Sequence, residues 1–352
     1  MSASKEELIG KALTHRQNLI DQGRAIADAK ANARSIIGQA NQKLSDAQAA
    51  QQQYEQKKAD YHNQLGSHFD NALNNHNLTK VTSGSVTAVQ THVIVSVPEG
   101  VYQQAWEDMM NSGYRPVYFN GYEMTQQSYF RGLNTETFFN VLFIKDASVY
   151  WASYYGLDSQ TYQNTFDQYV NAGYRLAHIN SYLSGGQIRY APIFVMESWP
   201  EWVAYHGLTV SDHQSRFNDL TTRGYRPVNV STVHYNGATY FTALYDKQNV
   251  GFWETWSLMD SASFQRELDK HAVAGRMPSY LDACSIDRVP HFSAVWNYPP
   301  GFSSLRYDMD AATYHGEYLN MLSRQFVPKI IIGYQNGDNV NYGAMWQGPV
   351  SS

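Results

Sequence analysis

The chain has little cysteine, little charge and no long apolar run, and each of these features excludes a class of protein. Cys284 is the only cysteine among 352 residues, which excludes an internal disulfide and a cysteine-rich zinc site. Charged residues make up 16% and the formal net charge is -5, so a nucleic-acid-binding surface is not expected. No stretch reaches the roughly 18 to 20 apolar residues that span a bilayer, and the opening residues lack the pattern of a secretory signal. The expected location is therefore either cytoplasmic or reached by a non-classical export route.

Aromatic and amide side chains are abundant instead. The sequence contains 27 tyrosines and 8 tryptophans, together with many Asn, Gln and Ser residues. Such surfaces bind through flat apolar faces and hydrogen bonds rather than through charge. This composition favours a binding protein.

Residues 1–80 are predicted to form a helical stalk, followed by a linker at 81–89. Residues 5–75 contain no proline and are rich in Ala, Gln and Lys, which favours helix. A seven-residue spacing of apolar side chains gives a narrow seam of Ala12, Leu19, Ile26, Ala33, Ala40, Ala47, Tyr54 and Tyr61. Because so long a helix needs a partner, we expect either a coiled coil that makes a homo-oligomer through residues 5–75 or a hairpin bent at Gly23 or Gly38.

From about residue 90 the sequence repeats with a period near 50 residues. The last predicted strand of each unit ends in an aromatic residue, at Phe143, Phe194, Tyr245, Trp296 and Trp346. A fixed period of this length is typical of a ring or a solenoid. The region 90–352 divides into five units, at about 90–147, 148–198, 199–249, 250–300 and 301–349.

Each unit has the pattern strand, helix, strand, hairpin, strand. In the third unit, residues 201–208 alternate as a strand, a helix follows with Ser211 as its expected N-cap, and an Asn-Gly turn at 236–237 joins the last two strands. The predicted fold class is α+β, with five tandem βαββ repeats closed into a propeller-like ring behind the N-terminal helical segment. Closure is expected because an open array leaves sheet edges of the first and last units exposed.

The phrase Gly-Tyr-Arg-Pro or Gly-Tyr-Arg-Leu follows the predicted helix in three units. The glycine supplies a left-handed residue that ends the helix, the tyrosine starts a strand and faces the core, and the arginine stacks on an aromatic side chain or binds loop carbonyls. We interpret the phrase as a structural joint rather than a binding site. Its residues are Gly113, Tyr114, Arg115, Gly173, Tyr174, Arg175, Gly224, Tyr225 and Arg226, with Gly275 at the equivalent position of the fourth unit.

The period and this phrase resemble the bacterial tandem repeat domain family, whose repeats also form the N-terminal half of fungal polyglycine hydrolases. The resemblance covers residues 90–349. In those hydrolases the chemistry belongs to a separate β-lactamase-like domain with a Ser-x-x-Lys motif, and here that spacing occurs only from Ser2 to Lys5. The resemblance therefore implies a fold without an activity.

Two places are candidates for ligand contact. The hairpin of the first unit is enlarged and carries Tyr129, Phe130 and Arg131, and Trp199 lies at the connection between the second and third units. Because Trp and Tyr faces with Asn and Gln suit pyranose rings, we expect a non-enzymatic protein that binds a cell-surface glycan or a protein. No cofactor and no metal ion are predicted.

Two other functions stay open at this point. One is a virulence or membrane-acting factor of the pore-forming type, whose helical arm inserts while the ring recognises the target. The other is a pentein-like hydrolase, because five α/β units can close in the pentein geometry, in which a cysteine attacks a guanidinium carbon. Cys284 would be that nucleophile.

Overall fold

The computed structural model describes residues 5–75, 79–82, 85–88, 90–128 and 132–348, in two compact units at Met1–Asn63 and Gln64–Ser352. Helix α1 runs from Lys5 to Asn75 as one helix of 71 residues. It passes Gly23 and Gly38 without interruption, so the hairpin alternative is wrong. Within the described residues, no helix combines the length and apolar character needed to cross a bilayer.

The N-terminal part of α1 exposes six large apolar side chains. Their exposed fractions lie between 40% and 58%, at Leu8, Ile9, Leu13, Leu19, Ile20 and Ile26. Further along, β1 (Thr79–Thr82) pairs with β2 (Ser85–Ala88) in antiparallel register, with Val81 opposite Val86. The segment predicted as a linker therefore contains a strand.

Five three-stranded antiparallel sheets follow, each with one helix. The first repeat contains β3 (Thr91–Pro98), α2 (Glu99–Asn111), β4 (Arg115–Ser128) and β5 (Gly132–Ile144). The last strand of every repeat lies between the other two. The remaining repeats consist of β6 (Tyr150–Ser153), α3 (Ser159–Asn171), β7 (Arg175–Ser184) and β8 (Gln187–Met196); β9 (Trp202–Thr209), α4 (Val210–Thr222), β10 (Arg226–Tyr235) and β11 (Ala238–Asp246); β12 (Trp253–Met259), α5 (Ser261–Val273), β13 (Met277–Ile286) and β14 (Val289–Asn297); and β15 (Ser303–Met309), α6 (Ala311–Ser323), β16 (Val327–Asn336) and β17 (Asn339–Gln347).

Side-chain caps begin four of the repeat helices. Asp158, Asp260 and Asp310 each accept a hydrogen bond from the backbone N–H three residues later, and Thr209 does the same for Asp212 at 3.2 Å. Such a cap satisfies one of the free N–H groups of the first helical turn. The prediction that Ser211 caps α4 is wrong, because the threonine two residues earlier holds that position.

The glycine predicted to end each helix has the expected left-handed backbone. The φ angle is +80° at Gly113, +87° at Gly173, +82° at Gly224 and +70° at Gly275. Gln325 takes the position in the fifth repeat with φ of +63°. Glycine adopts this conformation without the steric cost that a Cβ atom brings.

The largest core cluster combines buried residues of repeats one, three, four and five, and aromatic side chains also pack between neighbouring repeats. Trp296 and Trp346 are fully buried. Trp202 packs edge-on against Phe166 of the preceding repeat, with ring centroids 5.8 Å apart. The aromatic side chains therefore fill the repeats and also hold them to each other.

A polar belt crosses the buried middle of the repeats. It is formed by side chains at one equivalent position of the second strands in repeats one to four, namely Asn120, Asn180, Ser231 and Asp282. Each of these side chains accepts a backbone N–H from another repeat; for example, Asp282 Oδ2 accepts from the Thr232 N–H at 2.8 Å. Buried polar side chains thus hydrogen-bond the backbone from repeat to repeat.

Repeat five also contacts repeat one. Asn120 Oδ1 accepts a hydrogen bond from the Gly333 N–H at 2.8 Å, and the hydroxyls of Ser96 and Tyr342 are hydrogen-bonded. The Cα of Gly333 has no space for a side chain, because a Cβ atom there would lie 2.4 Å from the ring of Tyr122. The first and last repeats therefore pack closely.

Candidate functional site

The structure gives Trp199 contacts at a repeat junction. The guanidinium of Arg175 stacks on its indole at 3.9 Å from the ring centre, and its Nε1–H donates to Asp246 Oδ2 at 3.0 Å. Arg175 belongs to repeat two and Asp246 to repeat three, so this tryptophan connects the two repeats. Ligand binding at Trp199 stays a prediction, and Tyr129, Phe130 and Arg131 lie outside the described residues.

The joint arginines bind acidic residues near the end of the last strand of their own repeat. The contacts are Arg115 Nη2 to Asp146 Oδ2 at 2.7 Å, Arg175 Nε to Glu197 Oε1 at 2.9 Å and Arg226 Nη2 to Asp246 Oδ2 at 3.1 Å. Stacking of Arg175 on an aromatic ring was expected, but the acidic partners were not. These ion pairs join the start of the second strand of a repeat to the end of its last strand, and the interpretation of the phrase as a structural joint stays a prediction.

Cys284 lies in β13 with 8% of its surface exposed. Burial raises the pKa of its thiol to about 12. Attack on a guanidinium carbon requires a thiolate, which a lowered pKa would supply. The surroundings of Cys284 therefore work against the pentein-like role.

A cleft of about 400 Å³ opens in repeat four, between β12, the first turns of α5 and β14. Trp256, Asp260, Arg266, Glu267 and His291 line it. We call this the Trp256 cleft. It combines one flat aromatic face with polar groups and with charged groups of both signs.

Trp256 presents its indole to the solvent with 49% of its surface exposed. Its Nε1–H donates to Glu254 Oε1 at 2.8 Å, which fixes the ring edge. In repeat two the equivalent Tyr154 instead hydrogen-bonds Tyr169 of the helix at 2.8 Å between hydroxyls. Repeat four thus turns its aromatic residue along the strand and leaves the space beside the helix open.

The backbone beneath the cleft is irregular. The pairing of β12 with β14 shifts register between Trp256 and Met259, and Leu258 has φ of +57°. Glycine occupies the equivalent position in repeat two, at Gly156, and in repeat three, at Gly207. A bulky residue rarely adopts this conformation, and a bulge re-aims the side chains around it.

Polar groups at the cleft are oriented by local hydrogen bonds. The Asp260 carboxylate accepts the Ser263 N–H at 2.7 Å, and these bonds lower its pKa. Arg266 Nη2 donates to the Ser263 hydroxyl at 2.8 Å. His291 Nδ1 lies 3.0 Å from the Val289 carbonyl oxygen, which can only accept, so Nδ1 carries a proton and donates it to this bond. Donors and acceptors therefore stand beside the indole.

A second polar group, the Glu–Glu–His cluster of Glu254, Glu267 and His271, adjoins the cleft. Lys270 Nζ donates to Glu254 Oε1 and to Glu267 Oε2, both at 2.7 Å. His271 has no exposed surface and stacks on Trp296, with centroids 4.7 Å apart. Burial lowers the pKa of His271, while the nearby Glu254 and Glu267 act in the opposite direction.

Neither the cleft nor the cluster was predicted from the sequence. The cluster depends on a glutamate and a histidine four residues apart in α5, Glu267 and His271, and on Glu254 of the adjacent strand. A usable signal lies in the comparison of repeats, because the position of His271 is occupied elsewhere by Met109, Tyr169, Leu220 and Met321. A histidine among such residues marks repeat four as different.

Five consecutive sheets of one topology, each covered by one helix, define a tandem-repeat protein. The model of the polyglycine hydrolase-like structural repeat family matches the chain five times, at residues 94–133, 148–196, 199–248, 252–299 and 303–348. These matches cover more than half of the chain, which therefore belongs to this family, as the resemblance of the sequence had implied. No curated protein matches the chain.

Proposed function

We propose that the protein is a non-enzymatic recognition protein and that a carbohydrate binds in the Trp256 cleft. The observation that carries this proposal is the half-exposed indole of Trp256, held at its edge by Glu254 beside a polar cleft. The apolar face of a pyranose ring packs on such an indole, while its hydroxyls pair with groups such as Arg266 and Glu267.

The size of the cleft favours a small ligand. A volume of about 400 Å³ is at the lower end of the range for small-molecule sites. A protein partner would instead cover about 800 Å² on each side. We therefore place a glycan ahead of a protein as the ligand.

We also propose that the five repeats close into a propeller-like ring. The hydrogen bond between Asn120 and Gly333 and the contact between Ser96 and Tyr342 support closure, because they join repeat one to repeat five. Closure leaves no terminal repeat that needs a cap.

The helix α1 is proposed to associate with α1 of other copies, making a homo-oligomer through residues 5–75. Its 71 residues span roughly 105 Å at 1.5 Å per residue, and its N-terminal part exposes leucine and isoleucine at coiled-coil spacing. An oligomer presents several clefts to one surface and gains avidity.

A membrane-acting factor is the second candidate function, favoured by the same exposed apolar side chains of α1. A liposome-leakage assay on the full chain and on a chain without residues 1–80 separates the two. Leakage that depends on residues 1–80 would favour the membrane-acting role.

A glycan array tests the carbohydrate proposal. The full chain, Trp256→Ala and the control Tyr150→Ala are applied to the same array; Tyr150 is an aromatic residue 75% exposed outside the cleft. We expect binding to a defined group of saccharides that Trp256→Ala loses and Tyr150→Ala keeps, with the saccharide recovered uncleaved. A silent array, equal binding by all three proteins or a cleaved product would contradict the proposal.

A further inference from the structure

Three potential metal ligands converge beside the Trp256 cleft, where α5 packs on β12. One oxygen of Glu254, one of Glu267 and one imidazole nitrogen of His271 all lie within 4.8 Å of one another. His271 Nε2 is 3.6 Å from Glu254 Oε2 and 3.7 Å from Glu267 Oε2. Carboxylate oxygen and imidazole nitrogen are ligands that Zn²⁺ takes in proteins.

His271 supplies an observation independent of the two acidic residues. Its side chain is fully buried, and neither ring nitrogen has a hydrogen-bond partner among the described residues. A buried polar group without a partner is costly, and Nε2 is directed at the two carboxylates. A metal ion between them would complete its coordination.

The ammonium of Lys270 already occupies part of this space. It binds both carboxylates, which indicates that a cation is favoured there. Lys270 is half exposed, with 47% of its side chain in solvent, so it can leave toward the water. The carboxylates would then be free to bind an ion.

Neighbouring rings hold the ligands in place. The Trp256 Nε1–H fixes Glu254 Oε1 and leaves Oε2 facing His271. The parallel stack of His271 on Trp296, 14° between planes, fixes the imidazole. Such outer contacts orient metal ligands and raise affinity.

We propose that Glu254, Glu267 and His271 form a Zn²⁺ site, a function beyond the carbohydrate binding proposed above. The imidazole nitrogen favours Zn²⁺ over Ca²⁺ and Mg²⁺, which prefer oxygen ligands only. Two of the ligands stand one helical turn apart on α5, and the third comes from the adjacent strand, so the folded repeat brings the set together.

The test titrates Zn²⁺ alone into the metal-free full chain by calorimetry, without saccharide, so that the outcome is independent of the Trp256 cleft. We expect Glu254→Gln and Glu267→Gln each to weaken binding by about 100-fold. Lys270→Ala removes the competing ammonium and should strengthen binding by about tenfold. Glu201→Gln is the matched control, because Glu201 binds Lys247 and Tyr225 but has no buried histidine beside it.

A second measurement needs no variant. Co²⁺ bound in place of Zn²⁺ should give the visible absorption bands of a low-symmetry nitrogen and oxygen site in the natural chain. Equal Zn²⁺ affinity in the three glutamine variants would overturn the proposal, as would a natural chain that binds no Zn²⁺. Binding by Lys270→Ala alone would also overturn it, because the ammonium would then close the site in the natural protein.

Discussion

Asp282 is the one carboxylic acid of the polar belt, where repeats one and two carry Asn120 and Asn180. Its side chain is almost fully buried, and burial raises its pKa to about 7 despite the hydrogen bond from the Thr232 N–H. Tyr118 is a titratable group beside Asp282, and burial also raises the pKa of Tyr118. Asp282 therefore takes up a proton on folding below about pH 7.

We predict that Asp282→Asn removes a pH dependence of stability. The unfolded pKa of aspartate is about 4, so between about pH 4 and pH 7 the folded chain binds more protons than the unfolded chain. Stability due to this group falls as pH rises through that range, by up to about 1.4 kcal/mol per unit, and is constant above it. Asparagine keeps an acceptor for Thr232.

Urea unfolding of both proteins at several pH values measures this effect. The difference in unfolding free energy between Asp282→Asn and the natural chain should grow from pH 4 to pH 7. A difference that does not change with pH would show that Asp282 titrates normally.

Arg226 allows a prediction about the joints. The side chains of Arg226 and Asp246 are 9% and 1% exposed, so Arg226→Ala leaves a buried carboxylate without its cationic partner. We expect a loss of about 3–5 kcal/mol in unfolding free energy, with glycan binding retained in the folded protein.

Arg288→Ala is the comparison for Arg226→Ala. Arg288 also binds an aspartate, at 2.7 Å, but Asp338 is largely exposed, so the expected loss is about 0–1 kcal/mol. Thermal unfolding and a binding assay on both variants decide the matter. If Arg226→Ala lost glycan binding at an unchanged melting temperature, Arg226 would belong to the binding site and the structural interpretation would be wrong.

The repeat elements were predictable because each one is specified locally. Helix periodicity, a left-handed glycine and a two-residue turn act within about 12 neighbouring residues, and the period then repeats the result. The start of α4 was misplaced because Thr209 and Ser211 are both good caps, and only the backbone selects between them. The hairpin alternative for α1 failed because an isolated glycine costs a helix only about 1 kcal/mol.

The Trp256 cleft was not predictable in the same way. The cleft depends on the hydrogen-bond partner of Trp256. Its Nε1–H donates to Glu254 of the same strand and not to a residue of the helix, and this partner is defined only once the strand and the helix are packed together. Leucine alone does not indicate the positive φ at Leu258, and only the glycines at the equivalent positions of repeats two and three point to it. Comparison of equivalent positions across repeats would have identified His271.

For α1 we predict that Ile26→Asp dissociates the proposed oligomer. Ile26 is 57% exposed in the single chain and lies on the apolar seam, so association buries it. A charge there costs several kcal/mol unless the helices separate. Sedimentation should give a smaller species, while the repeats keep their melting behaviour.

Gln17→Asp is the control for α1. Gln17 lies nine residues before Ile26, on the opposite side of the helix. The substitution Gln17→Asp introduces the same charge as Ile26→Asp. Its assembly mass should equal that of the natural chain. An unchanged mass for Ile26→Asp, or a natural chain that sediments as a monomer, would contradict association through α1.

At the scale of the whole molecule, Gly333→Ala tests ring closure. The added Cβ would lie 2.4 Å from Tyr122 Cε1 and 2.7 Å from Asn140 Nδ2, both in repeat one. The first and fifth repeats must move apart to accommodate it, so we expect a loss of about 1–3 kcal/mol or more in unfolding free energy.

Gly316→Ala, in the same repeat, is the matched control. Its Cβ meets nothing within 4 Å, and alanine favours helix α6 by about 0.5–1 kcal/mol. Chemical denaturation compares the two variants. Equal stabilities would indicate that the two terminal repeats do not pack together in solution.

The claim that a glycan binds at Trp256 is tested most directly by ¹⁹F NMR of the full chain labelled with 5-fluorotryptophan. Its 8 tryptophans give separate signals, and Trp256→Phe assigns the signal of the cleft. We predict that a saccharide selected on the glycan array shifts the Trp256 signal until saturation. A saccharide that binds without changing the Trp256 signal would contradict the account.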